Sequence, residues 1–425
     1  MKEFLKDNET LKNCKIYQML ESANACRHFS FHTPGHKVGR YDITELSFSD
    51  NLSAPKGCIL EAEQDITRIL GSKQSFILTD GSTSGIFSML YAAKLVGLTS
   101  LAFPVKSHKS VYNACEVLSI TPFPFETGER LRIEDIPFSL ADGLLITSPD
   151  YYGNIPCLKK IRERCDRENK LFLIDGAHGG HLHFDEQLYA GSYADMWVDG
   201  VHKSLPSFTQ GAVVSAGKTD LVEPLRRGVD AFRTTSPSYP IMASVEYAVK
   251  YPRNQFAEEF ARNFQASYPE RIILNEDWTK LCALFGENAF EVEKELEGRG
   301  VYAEFCDGEV IMFYLSPASA QSDLQILEQI LVELFEKHPY RKIEKQSPCS
   351  NNRVVASSEI GEIEWLEIER AENRILAADC GLFPPCIPLI RKGDRAEKDK
   401  LELLKKASNV YGVREGKLPV VKRYK

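Results

Sequence analysis

The sequence lacks several things that would define a function class. Nowhere in its 425 residues is there a run of about 18 apolar residues, so no membrane-crossing helix is expected. The opening stretch MKEFLKDNETLKNC has no apolar core of signal-peptide length. Positive charge is in deficit: 52 Lys and Arg against 60 Asp and Glu leave a formal net charge of −8. A nucleic-acid backbone demands a basic face, which this balance does not supply. The basic residues near the end (Lys417, Lys422, Arg423, Lys425) read as a short solvated tail. Although there are 11 cysteines, no two form a CxxC pair. Neither a zinc framework nor a disulfide scaffold is suggested, and reduced thiols in the cytoplasm fit best.

What is present is the composition of a soluble enzyme, 43% hydrophobic and 26% charged, at a length for which two domains are natural. An amphipathic stretch (5–20) and a loop-like segment make up residues 1–50. A helix is expected over 59–70, after Pro55 and Gly57. Short apolar runs at 76–78, 101–103, 144–146, 171–174 and 196–198 then alternate with helical stretches at 85–95, 110–118 and 158–169. That alternation predicts an α/β domain over 51–265 with a mainly parallel sheet. One long helix is expected over 239–262. Beyond it, strand-like 310–315 and helical 324–337 point to a smaller α+β domain over 266–425, with polar 345–352 as a loop. No internal repeat occurs.

Three places carry chemistry, because ligands of open α/β sheets bind where strands end. The first is TDGSTSGIF (79–87). Gly81 allows close backbone approach, Ser82, Thr83 and Ser84 offer hydroxyls, and a helix starting near Gly85 would aim N–H groups at an anion. It reads either as a phosphate cradle or as a polar helix cap. The second is LFLIDGAHGGHLHF (171–184), which puts Asp175 at a strand tip. There it could hold the protonated nitrogen of a pyridine ring, or serve as a turn aspartate. A zinc site from His178, His181 and His183 is disfavoured, since that spacing faces one metal on neither a helix nor a strand. The third is DMWVDGVHKSLPSFTQGAVV (195–214), where Lys203 follows an apolar run and a glycine. A lysine so placed could bond an aldehyde cofactor.

These stretches carry a resemblance. FHTPGHK (31–37), DITEL (42–46), TDGSTSG (79–85), SHKSVYNA (107–114) and TSPDYYG (147–153) come first. DGAHGGHLHF (175–184), VHKSLPSFTQGA (201–212), TTSPSYPIMAS (234–244) and FPPCIPLI (383–390) follow in the same order. Together they are similar to the bacterial ornithine/lysine/arginine decarboxylases. These are fold-type I enzymes, aspartate aminotransferase-like, that use pyridoxal 5′-phosphate (PLP). The chain resembles the compact members that lack an N-terminal wing domain.

The resemblance implies roles. Lys203 would anchor the cofactor and handle protons, and Asp175 would pair with the pyridine nitrogen. His108 would stack on one ring face, with Ala177 against the other. Gly81, Ser82, Thr83 and His202 would hold the phosphate. Thr235 and Ser236 match a segment that reaches a neighbouring subunit's site, implying a homodimer or higher oligomer with shared sites. No metal is implied. The expected activity is decarboxylation of arginine, lysine or ornithine, feeding polyamine synthesis. The alternatives are an aminotransferase or aldolase on the same scaffold, or a diverged PLP-binding protein without catalysis.

Departures from the family cluster around the cofactor. Gly200 stands where a phosphate-binding serine is common, with Asp199 before it. Asp80 replaces an asparagine, Asp150 replaces a threonine, and Gly176 replaces an acidic residue. Val105 and Lys106 stand for an Arg-Asn pair, and Lys392, Gly393 and Asp394 for a PGE. Loss of one phosphate hydrogen bond costs about 1–3 kcal/mol. Three added carboxylates beside a phosphate would repel it unless they turn away or find cations.

Overall fold

The protein is described by a computed structural model over residues 8–25, 29–37, 41–340, 361–383, 387–407 and 409–422. The 345–352 loop, residues 384–386 of FPPCIPLI and the last three residues lie outside that range.

Seven strands make the main sheet: β1 (Gln74–Leu78), β2 (Ser100–Pro104), β3 (Thr121–Phe125), β4 (Gly143–Thr147), β5 (Leu171–Gly176), β6 (Met196–Asp199) and β7 (Ala212–Ala216). Their order is β1-β7-β6-β5-β4-β2-β3. Pairing is parallel from β3 through β6, while β7 runs antiparallel to both its neighbours. Strands buried on both faces read as unbroken apolar runs, with alternate residues entering opposite cores. On β5, Phe172 and Ile174 join one core while Leu173 joins the other. On β6, Trp197 goes one way and Met196 and Val198 the other.

Among the described residues nine helices accompany this sheet: α1 (Asn8–Leu11), α2 (Lys15–Ala25), α3 (Cys58–Ile69), α4 (Gly81–Leu95), α5 (Lys109–Leu118), α6 (Leu158–Arg167), α7 (Val201–Ser204), α8 (Val222–Phe232) and α9 (Tyr239–Val249), followed along the chain by α10 (Gln255–Ser267). Residues of α2, α3, α6 and α9 fill the first core, and those of α4, α5 and α8 the second. The single helix expected over 239–262 is instead two. Pro252 lies in the break between α9 and α10, where it cannot donate to the ladder and restricts the residue before it.

Two compact units divide the chain. The first takes in everything to Glu259 together with Asn275–Thr279 and Leu315–Ala320. The second comprises Phe260–Leu274, Lys280–Tyr314 and the chain from Gln321 onward. It is α+β. Strands β8 (Lys280–Leu284), β9 (Phe305–Cys306) and β10 (Val310–Tyr314) form an antiparallel sheet in the order β8-β10-β9, alongside α11 (Ala289–Gly298) and α12 (Gln321–Lys337). Further on, β11 (Ile363–Glu367) pairs with β14 (Lys417–Val421) and β12 (Gly381–Leu382) with β13 (Val410–Tyr411), α13 (Lys398–Lys406) lying between them in sequence. Among the described residues no helix is long and apolar enough to cross a membrane.

Candidate active site

Parallel β5 and β6 end together, Asp175 opposite Val198 and Gly176 opposite Asp199. Beyond those tips the chain delivers the expected residues. Asp175 is buried, and its Oδ1 accepts from Ala177 N at 3.1 Å. Burial pushes its carboxyl above the ordinary carboxylate range, against the lowering pull of the Lys203 charge and the Ala177 amide. The short helix α7 carries Lys203. Its Nζ lies 3.0 Å from His178 Nε2, and the His178 ring packs edge-on against Tyr151 with centroids 4.5 Å apart.

His108 caps α5, its Nδ1 accepting from Ser110 N at 3.2 Å. Burial first, then the Lys203 and Lys109 charges, depress its pKa to about 4, so the ring is neutral at pH 7. In His202, Nδ1 lies 2.8 Å from the Gly211 carbonyl and must be the donor, which leaves Nε2 as the acceptor when the ring is neutral. Burial and the Lys203 charge lower its pKa too. His178 thus contacts the Lys203 amine, and Asp175, His108 and His202 feel its charge.

The cradle forms at the start of α4. Gly81 sits at φ +84°, in the left-handed region that glycine tolerates, and its N–H donates to Gln210 O at 2.9 Å. The helix begins there rather than near Gly85. Ser82 Oγ is buried with no hydrogen-bond partner in the protein, while Thr83 is exposed. A Cβ on Gly200 would lie 2.8 Å from Ser82 Oγ and 2.4 Å from Ala177 O, so the cradle and the strand tips close on each other there. Thr235 and Ser236, on the α8–α9 loop, are exposed. Within one chain they are not drawn into the Lys203 cluster by any of these contacts.

The departing carboxylates are occupied. Asp80 accepts from Ser84 Oγ at 2.8 Å and Thr234 N at 2.9 Å. Asp150 closes its own turn, taking Tyr152 N, Asn154 N and Asn154 Nδ2, and it feels the Lys106 charge. Asp199 accepts from Tyr189 Oη at 2.7 Å and Trp197 Nε1 at 2.9 Å. Each spends at least one oxygen on protein donors rather than facing a bound anion with both.

The three histidines after Asp175 go to different partners. His178 meets Lys203, His181 Nε2 meets Asp277 Oδ1 at 2.8 Å, and His183 Nδ1 meets Gly180 O at 2.8 Å. His178 is the site residue that sequence reasoning passed over. Its signal was its place three residues after a strand-tip aspartate, hidden by the competing metal pattern.

A model of the family described as Orn/Lys/Arg decarboxylase, major domain, matches residues 129–267, which span β4 to β7 and include Asp175 and Lys203. The "Uncharacterized protein YaaO" of Bacillus subtilis is 25% identical, over 92% of this chain and 94% of its own. An arginine decarboxylase of Halalkalibacterium halodurans is 26% identical, over 88% and 89%. The chain is similar to the Orn/Lys/Arg decarboxylases, through the family's major domain over residues 129–267 and through these relatives over most of its length. Among solved structures, the constitutive lysine decarboxylase of Escherichia coli superposes with a TM-score of 0.72 at 18% identity, covering 98% of this chain and 83% of that one. The shared architecture is that of fold-type I PLP enzymes. The family-model match and the relatives named arginine decarboxylase together support a PLP-dependent amino-acid decarboxylase.

Proposed function

We propose that this chain decarboxylates a basic amino acid, arginine ahead of lysine and ornithine, with residues at the tips of β5 and β6 and at the start of α4 positioned to hold PLP. One observation carries the reading: Asp175 is buried at the tip of β5, and Lys203, on the short helix just after β6 ends beside it, pulls that carboxyl down with its charge. Arginine is placed first because relatives matching over about nine-tenths of the chain bear the name arginine decarboxylase.

The residues present fit the cofactor. Ser82 Oγ is a buried hydroxyl lacking a protein partner, beside helix N–H groups suited to a phosphate. Asp175 is a buried carboxylate that a protonated ring nitrogen would satisfy. When bound, PLP supplies an electron sink for the pair left as CO₂ departs. The chain supplies the rest. Lys203 offers the amine that anchors the cofactor and gives way to substrate. Asp175 keeps the ring nitrogen protonated through its negative charge. His108, neutral and fixed by Ser110, presents a flat uncharged surface. Ser82, Thr83, Gly81 and His202 hold the phosphate. The product amine is then a precursor for polyamine synthesis, in the cytoplasm. Thr235 and Ser236 are exposed and available to a second copy, which supports a homodimer with shared sites.

The test is incubation with added PLP and arginine, lysine or ornithine in turn. CO₂ with the matching amine is the expected result. A keto acid would replace the reading with an aminotransferase, and an aldehyde from carbon–carbon cleavage with an aldolase. A cofactor absorbance that vanishes in Lys203→Ala, without turnover on any substrate, would leave a PLP-binding protein that is no catalyst.

A further inference from the structure

We propose that His178 is a further catalytic residue, the group that takes the proton from the Lys203 amine and returns it. The proposal rests on the reading of Lys203 given above. An amine bonds an aldehyde only through its lone pair, so the ammonium form must lose a proton inside the site. Nζ lies 3.0 Å from His178 Nε2, within hydrogen-bonding distance. At that separation one nitrogen donates and the other accepts, and two cations side by side in a buried pocket would repel. The pair therefore shares one proton. The transfer balances simply: an Nζ–H bond breaks, the Nε2–H bond forms, and the positive charge passes from amine to imidazole with no change of oxidation state.

The other groups facing the amine are less suited. His108 Nδ1 accepts from Ser110 N, so its Nε2 carries the hydrogen in the neutral ring. His202 keeps an acceptor at Nε2, but its Nδ1–H is held on the Gly211 carbonyl, and the 3.0 Å contact to Nζ is made by His178. Asp175 holds Ala177 N with Oδ1 and, on this reading, is reserved for the ring nitrogen. Tyr151 packs edge-on against the His178 ring and fixes its plane.

The experiment measures how readily Lys203 is acylated. The full chain, freed of any aldehyde by hydroxylamine dialysis, is treated with trace acetic anhydride between pH 6 and 10. Lys203 is then compared with the other lysines by peptide mass spectrometry. His178→Gln keeps an acceptor of similar size that cannot take the proton, and His178→Phe keeps the ring contact with Tyr151. Both are expected to slow Lys203 labelling at pH 7 by about tenfold, equivalent to one pH unit. If His178→Gln labels like the unaltered chain, His178 is only a hydrogen-bond acceptor and the proposal falls. If His178→Phe fails to fold, the Gln variant decides alone. Loading the unaltered chain and Lys203→Ala with PLP separates the two ideas. A missing Lys203-dependent absorbance sinks the cofactor reading while labelling still judges His178. A normal absorbance with unchanged labelling sinks His178 alone.

Discussion

Gly200 and Ser82 stand so close that a Cβ on the glycine would lie 2.8 Å from the serine hydroxyl. The family's common serine at 200 is therefore not simply missing here. Its space is taken, on one side by Ser82 Oγ and on the other by the Ala177 carbonyl at 2.4 Å. A side chain at position 200 would crowd both the Ser82 hydroxyl and the Ala177 carbonyl.

It follows that restoring the serine should harm the protein. Gly200→Ser is expected to destabilise the fold by about 1–3 kcal/mol, the usual cost of overpacking, and to weaken PLP binding rather than strengthen it. Denaturant unfolding and a cofactor titration followed by absorbance check both parts. Tighter PLP binding in the variant would contradict the placement of Ser82.

Asp175→Asn removes the charge that favours a protonated ring nitrogen while keeping the side chain's shape. Turnover is expected to fall about 10²–10³-fold, the scale of losing one preorganised electrostatic partner, with the Lys203-linked absorbance still formed. Steady-state CO₂ release and a spectrum of the loaded variant measure the two effects separately.

Asp199 gives a pH signature. Burial raises its pKa from an ordinary 3.8 to about 7, despite the Tyr189 and Trp197 hydrogen bonds that lower it. A raised acid is protonated in the folded chain while the unfolded chain has already ionised. Its stabilising contribution is complete below pH 4 and is lost as pH climbs toward 7. Asp199→Asn does not titrate, so the variant should gain on the unaltered chain steadily from pH 4 to 7 and then hold a constant lead. The ceiling on that gain is about 4 kcal/mol. Urea unfolding at pH 4, 5.5, 7 and 8.5, without added cofactor, checks the trend, and a lead that shrinks with pH would refute it.

His181 and Asp277 form a buried pair at 2.8 Å, and Asp277 also takes Thr279 N and Oγ1. His181→Phe fills the volume but strips one donor from a buried carboxylate. A loss of about 1–3 kcal/mol is expected, read as a lower denaturant midpoint. Turnover per folded molecule should change far less than in Asp175→Asn.

Some elements were hard to read along the chain for definable reasons. β3, with sequence TPFPF, was not anticipated because two prolines argue against a strand. It survives as the sheet's edge, pairing with β2 alone. β7 (AVVSA) is short and lies just after the lysine motif, where its antiparallel course could not be foreseen. The helix expected over 239–262 looked continuous because its apolar spacing carries across Pro252.

The chain's order of residues was enough to determine the alternating strands and helices, the strand-tip aspartate, the glycine-rich start of α4 and the lysine at 203. Each of these is a local property, written in periodicity, punctuation and short motifs. Only the tertiary structure decided which groups surround that lysine and where the unexpected carboxylates point. His178 meets Nζ, Asp80 turns to Thr234, and Ser82 fills the room beside Gly200. Those pairings join segments far apart along the chain, and a hydrogen bond or a steric limit depends on distance in space, which residue spacing does not encode.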